Sequence, residues 1–313
     1  MTEKLHTNSS ANAGRLDLLE LWWDTQRKNL VRYDPNILIL HHLEGGKCDS
    51  NFAWGTVFYS KAREEYKSRA SVYPEIRATT FDLTLMNQLV LAATGQLVIA
   101  ANPNSLIPGH LIVYPQEKRA DLNFEDISDM CSLAAKYTDL TFIHNMEHAA
   151  ASVLDWGHFQ AYPWSFPLVR ETGVTIYETN DFNLTRLPED YPSFVLMVET
   201  EKNELMAAWL FGMLRSLAAG CEASRGKRIP CNIIWYGTRS WLIPRSLSQT
   251  TFAATYIGAL EMGGLFCLPS ADNLRQYLPE TLKLEVHKAS LANDPSLLQW
   301  CERTALSLGR RIS

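Results

Sequence analysis

Apolar positions organise the chain into a succession of short elements. Leu18, Leu19, Trp22, Trp23 and Leu30 recur at helical spacing, which predicts an amphipathic helix over residues 15–33. Asp34-Pro35 closes it, because a residue preceding proline disfavours the helical region. Residues 45–80 lose this periodicity and read as loop, with Lys61, Arg63, Lys67, Arg69 and Arg77 scattered through them. The run QLVIAANPN (96–104) predicts a buried strand ending in a turn, and GHLIVYP (109–115) its hairpin partner. A helix is expected over 123–138, with Asn123 as its cap and Glu125 and Asp126 in its first turn. LTFIHN (140–145) and GHFQAYPW (157–164) follow as strands.

The second half loosely repeats that order without repeating the sequence. SFVLMVET (193–200) predicts a strand and residues 201–223 a long helix. CNIIWYGTRSWLIPR (231–245) predicts a strand pair around Gly237-Thr238. GALEMGGLFCLP (258–269) reads as a further apolar strand region containing glycines, and about forty C-terminal residues read as helical. The expected fold class is α+β, a mostly antiparallel sheet with helices on its face. The expected organisation is a flexible polar tail over 1–14, an N-terminal half over 15–180 and a C-terminal half over 181–313.

Composition narrows the function classes. The chain has 313 residues, 46% of them hydrophobic, enough for one large domain or two closely packed halves. A net charge of −5 and a pI near 5.9 give no basic footprint for nucleic acid or a membrane surface. No apolar run reaches the ~18 residues of a membrane span, and MTEKLHTNSSANAG lacks the apolar stretch of a signal peptide; a cytoplasmic location is expected. The six cysteines form no C-x-x-C pair, so buried free thiols are expected in place of a disulfide framework or a cysteine-rich zinc site.

The candidate chemistry lies at SVLDWGHFQAYPW (152–164). In an extended 156–162 segment, Trp156, His158, Gln160 and Tyr162 share one face, and Gly157, Phe159 and Ala161 the other. Asn145 and Ser152 lie just upstream. A histidine so placed is either a hydrogen-bonded core residue or a nucleophile. As a nucleophile, neutral imidazole attacks phosphorus and forms a covalent intermediate, while Gln160, Asn145 and Ser152 donate to the phosphate oxygens.

GHFQAY resembles the signature of the histidine-triad-like superfamily, in particular the GDP-hexose phosphorylase branch (GDP-L-galactose and GDP-D-glucose phosphorylases). Diadenosine tetraphosphate phosphorylase and galactose-1-phosphate uridylyltransferase are more distant relatives of that branch. The resemblance extends through WWDTQRKNLVRYD, NPNSLIPGHLIVYP, HNMEHAAAS, WLIPR and GALEMGGLFCLP, in order, over roughly residues 20–285. It implies a histidine-triad-like fold of two fused halves. It makes His158 the nucleophile and Gln160 its phosphate-supporting partner; Asn145, Ser152 and Asn102 are candidate substrate contacts, and His110 either approaches the nucleotide or ends its strand bonded to the backbone. It implies a nucleotide or nucleotide-sugar substrate and a phosphate or sugar-phosphate acceptor, with no cofactor.

Two departures accompany the resemblance. The family's His-x-His-x-Gln begins here with Trp156. The lost histidine helps bind metal in the uridylyltransferases, so no tightly bound catalytic metal is expected. In the family a backbone carbonyl holds the nucleophile's Nδ1–H, and a carbonyl survives a side-chain change. Ser152 stands one residue further from the histidine than is usual. Gln160 replaces the third histidine of the triad hydrolases; an amide cannot donate and recover a proton as imidazole can, which points to transfer onto an anion instead of water.

The other polar residues carry blander readings. His41-His42 reads as structural. His144 and His148 either tune the site or cap strand ends, and Lys118 and Arg119 read as a solvated hairpin end. Gly263-Gly264 reads as a bulge or close approach. The expected activity is nucleotidyl transfer or phosphorolysis through a nucleotidyl-histidine. The alternatives are a specialised small-molecule transferase using the same histidine and a non-catalytic nucleotide-binding protein.

Overall fold

A computed structural model describes residues 15–27, 39–43, 55–59, 83–151, 153–246, 251–252, 255–268, 279–291 and 294–312. Helix α1 (Arg15–Arg27) is followed by β1 (Ile39–Leu43), β2 (Gly55–Tyr59), α2 (Leu83–Gln88), β3 (Val90–Thr94), β4 (Leu97–Ala101) and β5 (Leu111–Pro115). Then come α3 (Phe124–Lys136), β6 (Thr141–Asn145), β7 (Phe159–Tyr162), a 3₁₀ turn at Pro167–Arg170, β8 (Val174–Glu178), β9 (Asn183–Arg186) and β10 (Leu196–Glu199). Helix α4 (Asn203–Ala219), β11 (Cys231–Tyr236), β12 (Arg239–Pro244), β13 (Thr251–Phe252) and β14 (Thr255–Tyr256) follow. Helix α5 (Ala259–Met262), β15 (Leu265–Leu268), α6 (Pro279–Ala289) and α7 (Pro295–Ile312) complete the order.

Ten strands form one sheet in the order β3-β4-β5-β7-β6-β11-β12-β10-β9-β8, antiparallel at every pairing. Adding five to each strand number in the first set gives the second set in mirror order. The sheet is thus two copies of one five-strand arrangement joined where β6 pairs with β11. Helix α3 lies between β5 and β6, and α4 between the matching β10 and β11. This is the expected α+β architecture of two fused halves. By strand order β8 belongs to the second set. A separate three-stranded sheet, β1-β2-β15, includes a parallel pairing of β2 with β15.

Alternation along the strands divides the core between two faces. Phe159 and Ala161 of β7 and Ile233 and Trp235 of β11 pack with α3, α4 and α7, together with Leu18 and Trp22 of α1. Ile143, Tyr162, Ile234, Trp241 and Ile243 leave from the opposite face and pack with α5, β15 and α6. The helices form where expected for local reasons. In α3, Asn123 Oδ1 accepts from Asp126 N–H while the Asp126 carboxylate accepts from Asn123 N–H, a reciprocal cap that satisfies two otherwise orphaned donors.

Several expectations differ: β2 (Gly55–Tyr59) lies within the stretch expected as loop, and β8 and β9 form where no element was expected. GALEMGGLFCLP is a helical turn, α5, before it becomes β15. Glu261 accepts from the Gly258 N–H, and this cap selects helix where apolar content alone suggests strand. The C-terminal helical region is two helices, α6 and α7. Cys131, Cys231, Cys267 and Cys301 are buried free thiols, Cys221 is a partly exposed one, and Cys48 lies outside the described residues. Among the described residues no helix is long and apolar enough to cross a membrane.

Candidate active site

His158 lies immediately before β7 and is buried. Its Nδ1 donates to the Trp156 carbonyl at 3.1 Å. That bond assigns the proton to Nδ1 and leaves the lone pair on Nε2. Burial lowers the imidazole pKa, with the Trp156 carbonyl opposing the shift, so the neutral nucleophilic form persists below the usual midpoint of 6.5. The preceding Gly157 permits a close backbone approach. Its N–H donates to the Arg119 carbonyl at 2.7 Å, and a Cβ there would stand 3.0 Å from Ala120 O and Leu122 Cδ2.

Trp156 does not share the face of His158. The strand begins only at Phe159, so strict alternation does not reach residue 156. The indole packs in the helix-side core, edge-on to Tyr114 at 5.7 Å, and its N–H donates to Pro115 O at 3.1 Å. Among the described residues no three His, Cys, Asp or Glu side chains gather as a possible metal cage.

Gln160 and Tyr162 follow on β7, on the face opposite Phe159 and Ala161. Gln160 Oε1 accepts from Tyr162 Oη at 2.6 Å and from His110 Nε2 at 3.0 Å. The tautomer of His110 follows from its other nitrogen, since Nδ1 accepts from Leu106 N–H at 3.1 Å and Nε2 therefore carries the proton. His110 also stacks on Tyr162, with ring centroids 4.4 Å apart. With its oxygen held twice, Gln160 turns its amide nitrogen away from both partners as a donor. His110 is buried behind Gln160, where it orients the amide. Asn102 lies in the same hairpin, its Nδ2 3.2 Å from His110 Nε2 and its Oδ1 accepting from Asn104 N–H.

Asn145 ends β6, one rung beyond the pairing of His144 with Phe159. Its Oδ1 accepts from Asn232 Nδ2 at 2.7 Å and from Ala259 N–H at 2.8 Å. Like Gln160, it has its oxygen anchored in the protein and its NH₂ left as the presenting group. The turn that follows places His148 and Ala150 at φ of 62° and 74°, a conformation costly for residues with a Cβ. Ser152 lies outside the described residues.

The remaining polar residues have structural partners. Lys118 pairs with Asp155, and Arg119 with the buried Asp126 at 2.9 Å. His148 is largely exposed beside Glu147. His144 is buried, and its Nδ1 donates to the His158 carbonyl at 2.8 Å, at the point where the β6–β7 ladder ends. Burial is the main cause that lowers its pKa to about 4, so it stays neutral in the folded protein near pH 7.

A stability prediction follows from His144. Its folded pKa lies below the 6.5 of an unperturbed histidine, so the unfolded chain binds the extra proton first. The stabilisation is complete above pH 6.5 and is lost as pH falls toward 4, by about 3 kcal/mol for a shift of this size. Urea midpoints of wild type are expected to fall between pH 7 and 4.5 more steeply than those of His144→Gln, whose amide still reaches the carbonyl but does not titrate. Equal slopes would count against a neutral buried His144.

Sequence reasoning left Tyr162, Asn232 and Arg245 off the site. Tyr162 was detectable, because a residue two positions after Gln160 on a strand shares its face. Asn232 and Arg245 carry no local signal; β11 and β12 bring them in by long-range pairing.

No protein-family model matches the chain, and no curated protein sequence does. Solved structures do. The AMP complex of yeast Ap4A phosphorylase Apa2 superposes with a TM-score of 0.62 at 13% identity, covering 89% of this chain and 97% of that one. The Ap4A complex of the same protein gives a TM-score of 0.62 at 13% identity, covering 88% and 96%. The chain therefore has the histidine-triad-like fold, shared over 89% of its length with a yeast Ap4A phosphorylase.

Proposed function

We propose that the protein is a nucleotidyltransferase of the phosphorylase type that works through a covalent nucleotidyl-His158. The observation that carries this reading is the bond from His158 Nδ1 to the Trp156 carbonyl. It supports a neutral Nε2 lone pair as the attacking group, with the Gln160 and Asn145 amides as the donors in this reading. Nε2 attacks the α-phosphorus of a nucleotide substrate, a nucleoside diphosphate sugar or a dinucleoside polyphosphate. The N–P bond forms as the bond to the leaving phosphate oxygen breaks. Nδ1–H stays on the ring, and the Trp156 carbonyl stabilises the charge the ring gains. Gln160 Nε2 and Asn145 Nδ2 donate to the non-bridging oxygens, whose charge they offset in the transition state.

An oxygen of inorganic phosphate or a sugar phosphate then attacks the same phosphorus. The N–P bond breaks and His158 returns neutral. Two displacements at one histidine make the kinetics ping-pong. The carbonyl that holds Nδ1 belongs to the backbone, so Trp156 in place of the family's first histidine leaves this chemistry intact. Gln160 is oriented by His110 and Tyr162, neither of which activates water, and this supports transfer over hydrolysis.

The test is covalent trapping. Wild-type protein is incubated with α-³²P-labelled ATP, GTP, ADP-glucose, GDP-glucose and Ap4A in turn, then denatured at alkaline pH, where a phosphorus–nitrogen bond to histidine survives. Label on the peptide containing His158, chased by phosphate, is the expected result. Protein that turns over one of these substrates without acquiring label would exclude the covalent route.

A further inference from the structure

We infer that Arg245 is a positioning residue that sets the Asn145 amide from the second half of the chain. The inference rests on the proposed role of Asn145 at phosphate. Arg245 is buried at the end of β12. Its Nη1 donates to Asn232 Oδ1 at 2.5 Å and to Ile257 O at 2.7 Å, and its Nε donates to Ala289 O at 2.9 Å. Among the described residues no carboxylate lies within ion-pair distance of it. Burial lowers its pKa to about 10, with Glu261 opposing at longer range, so it remains charged at pH 7. A buried cation held by neutral oxygens alone is costly to maintain.

Both groups that hold Asn145 Oδ1 lead back to this guanidinium. Asn232 Nδ2 donates to Asn145 Oδ1 and to Ala149 O, while Asn232 Oδ1 accepts from Arg245. The arginine thus decides which end of the Asn232 amide faces Asn145. The second donor, Ala259 N–H, lies two residues after Ile257, whose carbonyl Arg245 also holds. One planar fork therefore fixes a side chain and a backbone segment that converge on a single oxygen. Released from them, Asn145 would present its amide in either orientation, and half of those would aim an oxygen at an anionic phosphate.

Lysine keeps the charge but cannot reach three acceptors in a plane. The test is a double-mutant cycle of Arg245→Lys and Asn145→Ala, read as the single-turnover rate of His158 labelling. In the wild-type background Arg245→Lys is expected to slow labelling roughly 10-fold, within the range for a misplaced reacting group. In the Asn145→Ala background the same change is expected to cost less than about twofold, because the residue it positions has gone. An equal factor in both backgrounds, or a full rate in Arg245→Lys alone, would overturn the assignment. If Arg245→Lys does not fold, as judged by its thermal transition, Asn232→Ala breaks the same relay and is read against the same two outcomes. If wild type acquires no label, the covalent reading fails separately, and the cycle is read by the dissociation constant for AMP with the same criteria.

Discussion

His158→Ala is expected to lower nucleotidyl transfer by at least ~10⁴-fold, the scale of losing a covalent nucleophile, while the fold persists. Alanine removes the attacking nitrogen outright, and no other described histidine on the sheet face can replace it. His110 accepts a backbone N–H on Nδ1 and gives its Nε2 proton to Gln160. His144 pairs with Phe159 across β6 and β7 and so lies on the opposite, helix-side face. The structural cost is modest: the Trp156 carbonyl loses one donor, about 1 kcal/mol for a hydrogen bond of this kind. The measurements are steady-state turnover with phosphate as acceptor and a urea denaturation curve. A stable variant that turns over within tenfold of wild type would remove His158 from the mechanism.

Gln160→Ala is expected to slow formation and breakdown of the nucleotidyl-histidine by roughly 10²- to 10³-fold, the scale for losing one donor to a developing negative charge. Substrate affinity should fall less, because the bond strengthens as charge builds on the phosphate. Gln160→Glu separates the two ends of the amide. It keeps oxygens for Tyr162 and His110 but places a carboxylate where the donor stood, so its rate should be at least as low as that of alanine. Labelled wild-type protein, chased with water or with phosphate, should release label faster in phosphate. Equal release in the two chases would make the protein a hydrolase, and a Gln160→Glu rate near wild type would show that the oxygen, not the donor, is what matters.

Much of this was legible in the chain. In each half the strand before the long helix, the helix and the two strands after it follow from local periodicity and turn residues, because those forces act over a few positions; β3, β8 and β9 were not foreseen. The shared face of Gln160 and Tyr162 follows from strand alternation, and the cap of α3 from Asn123 and Asp126 three residues apart. Trp156 shows the reach of that reasoning: it was placed beside His158, but the chain becomes extended only at Phe159, and the indole turns into the opposite core. The helical start of GALEM was missed for a related reason. Apolar runs do not distinguish strand from buried helix, and the deciding bond from Gly258 N–H to Glu261 is a matter of conformation.

What the chain suggested by itself was the proposed chemistry: a histidine immediately before a strand and an amide two residues further on, in a two-half α+β protein. Tertiary structure decided how those groups are aimed. The proton on His158, the two donors on Gln160 and the relay from Arg245 to Asn145 all depend on partners between 2 and more than 100 residues away. Hydrogen-bond direction is set by which donor and acceptor are left over when strands pair, and that is a property of register, which residue identities along one strand do not encode.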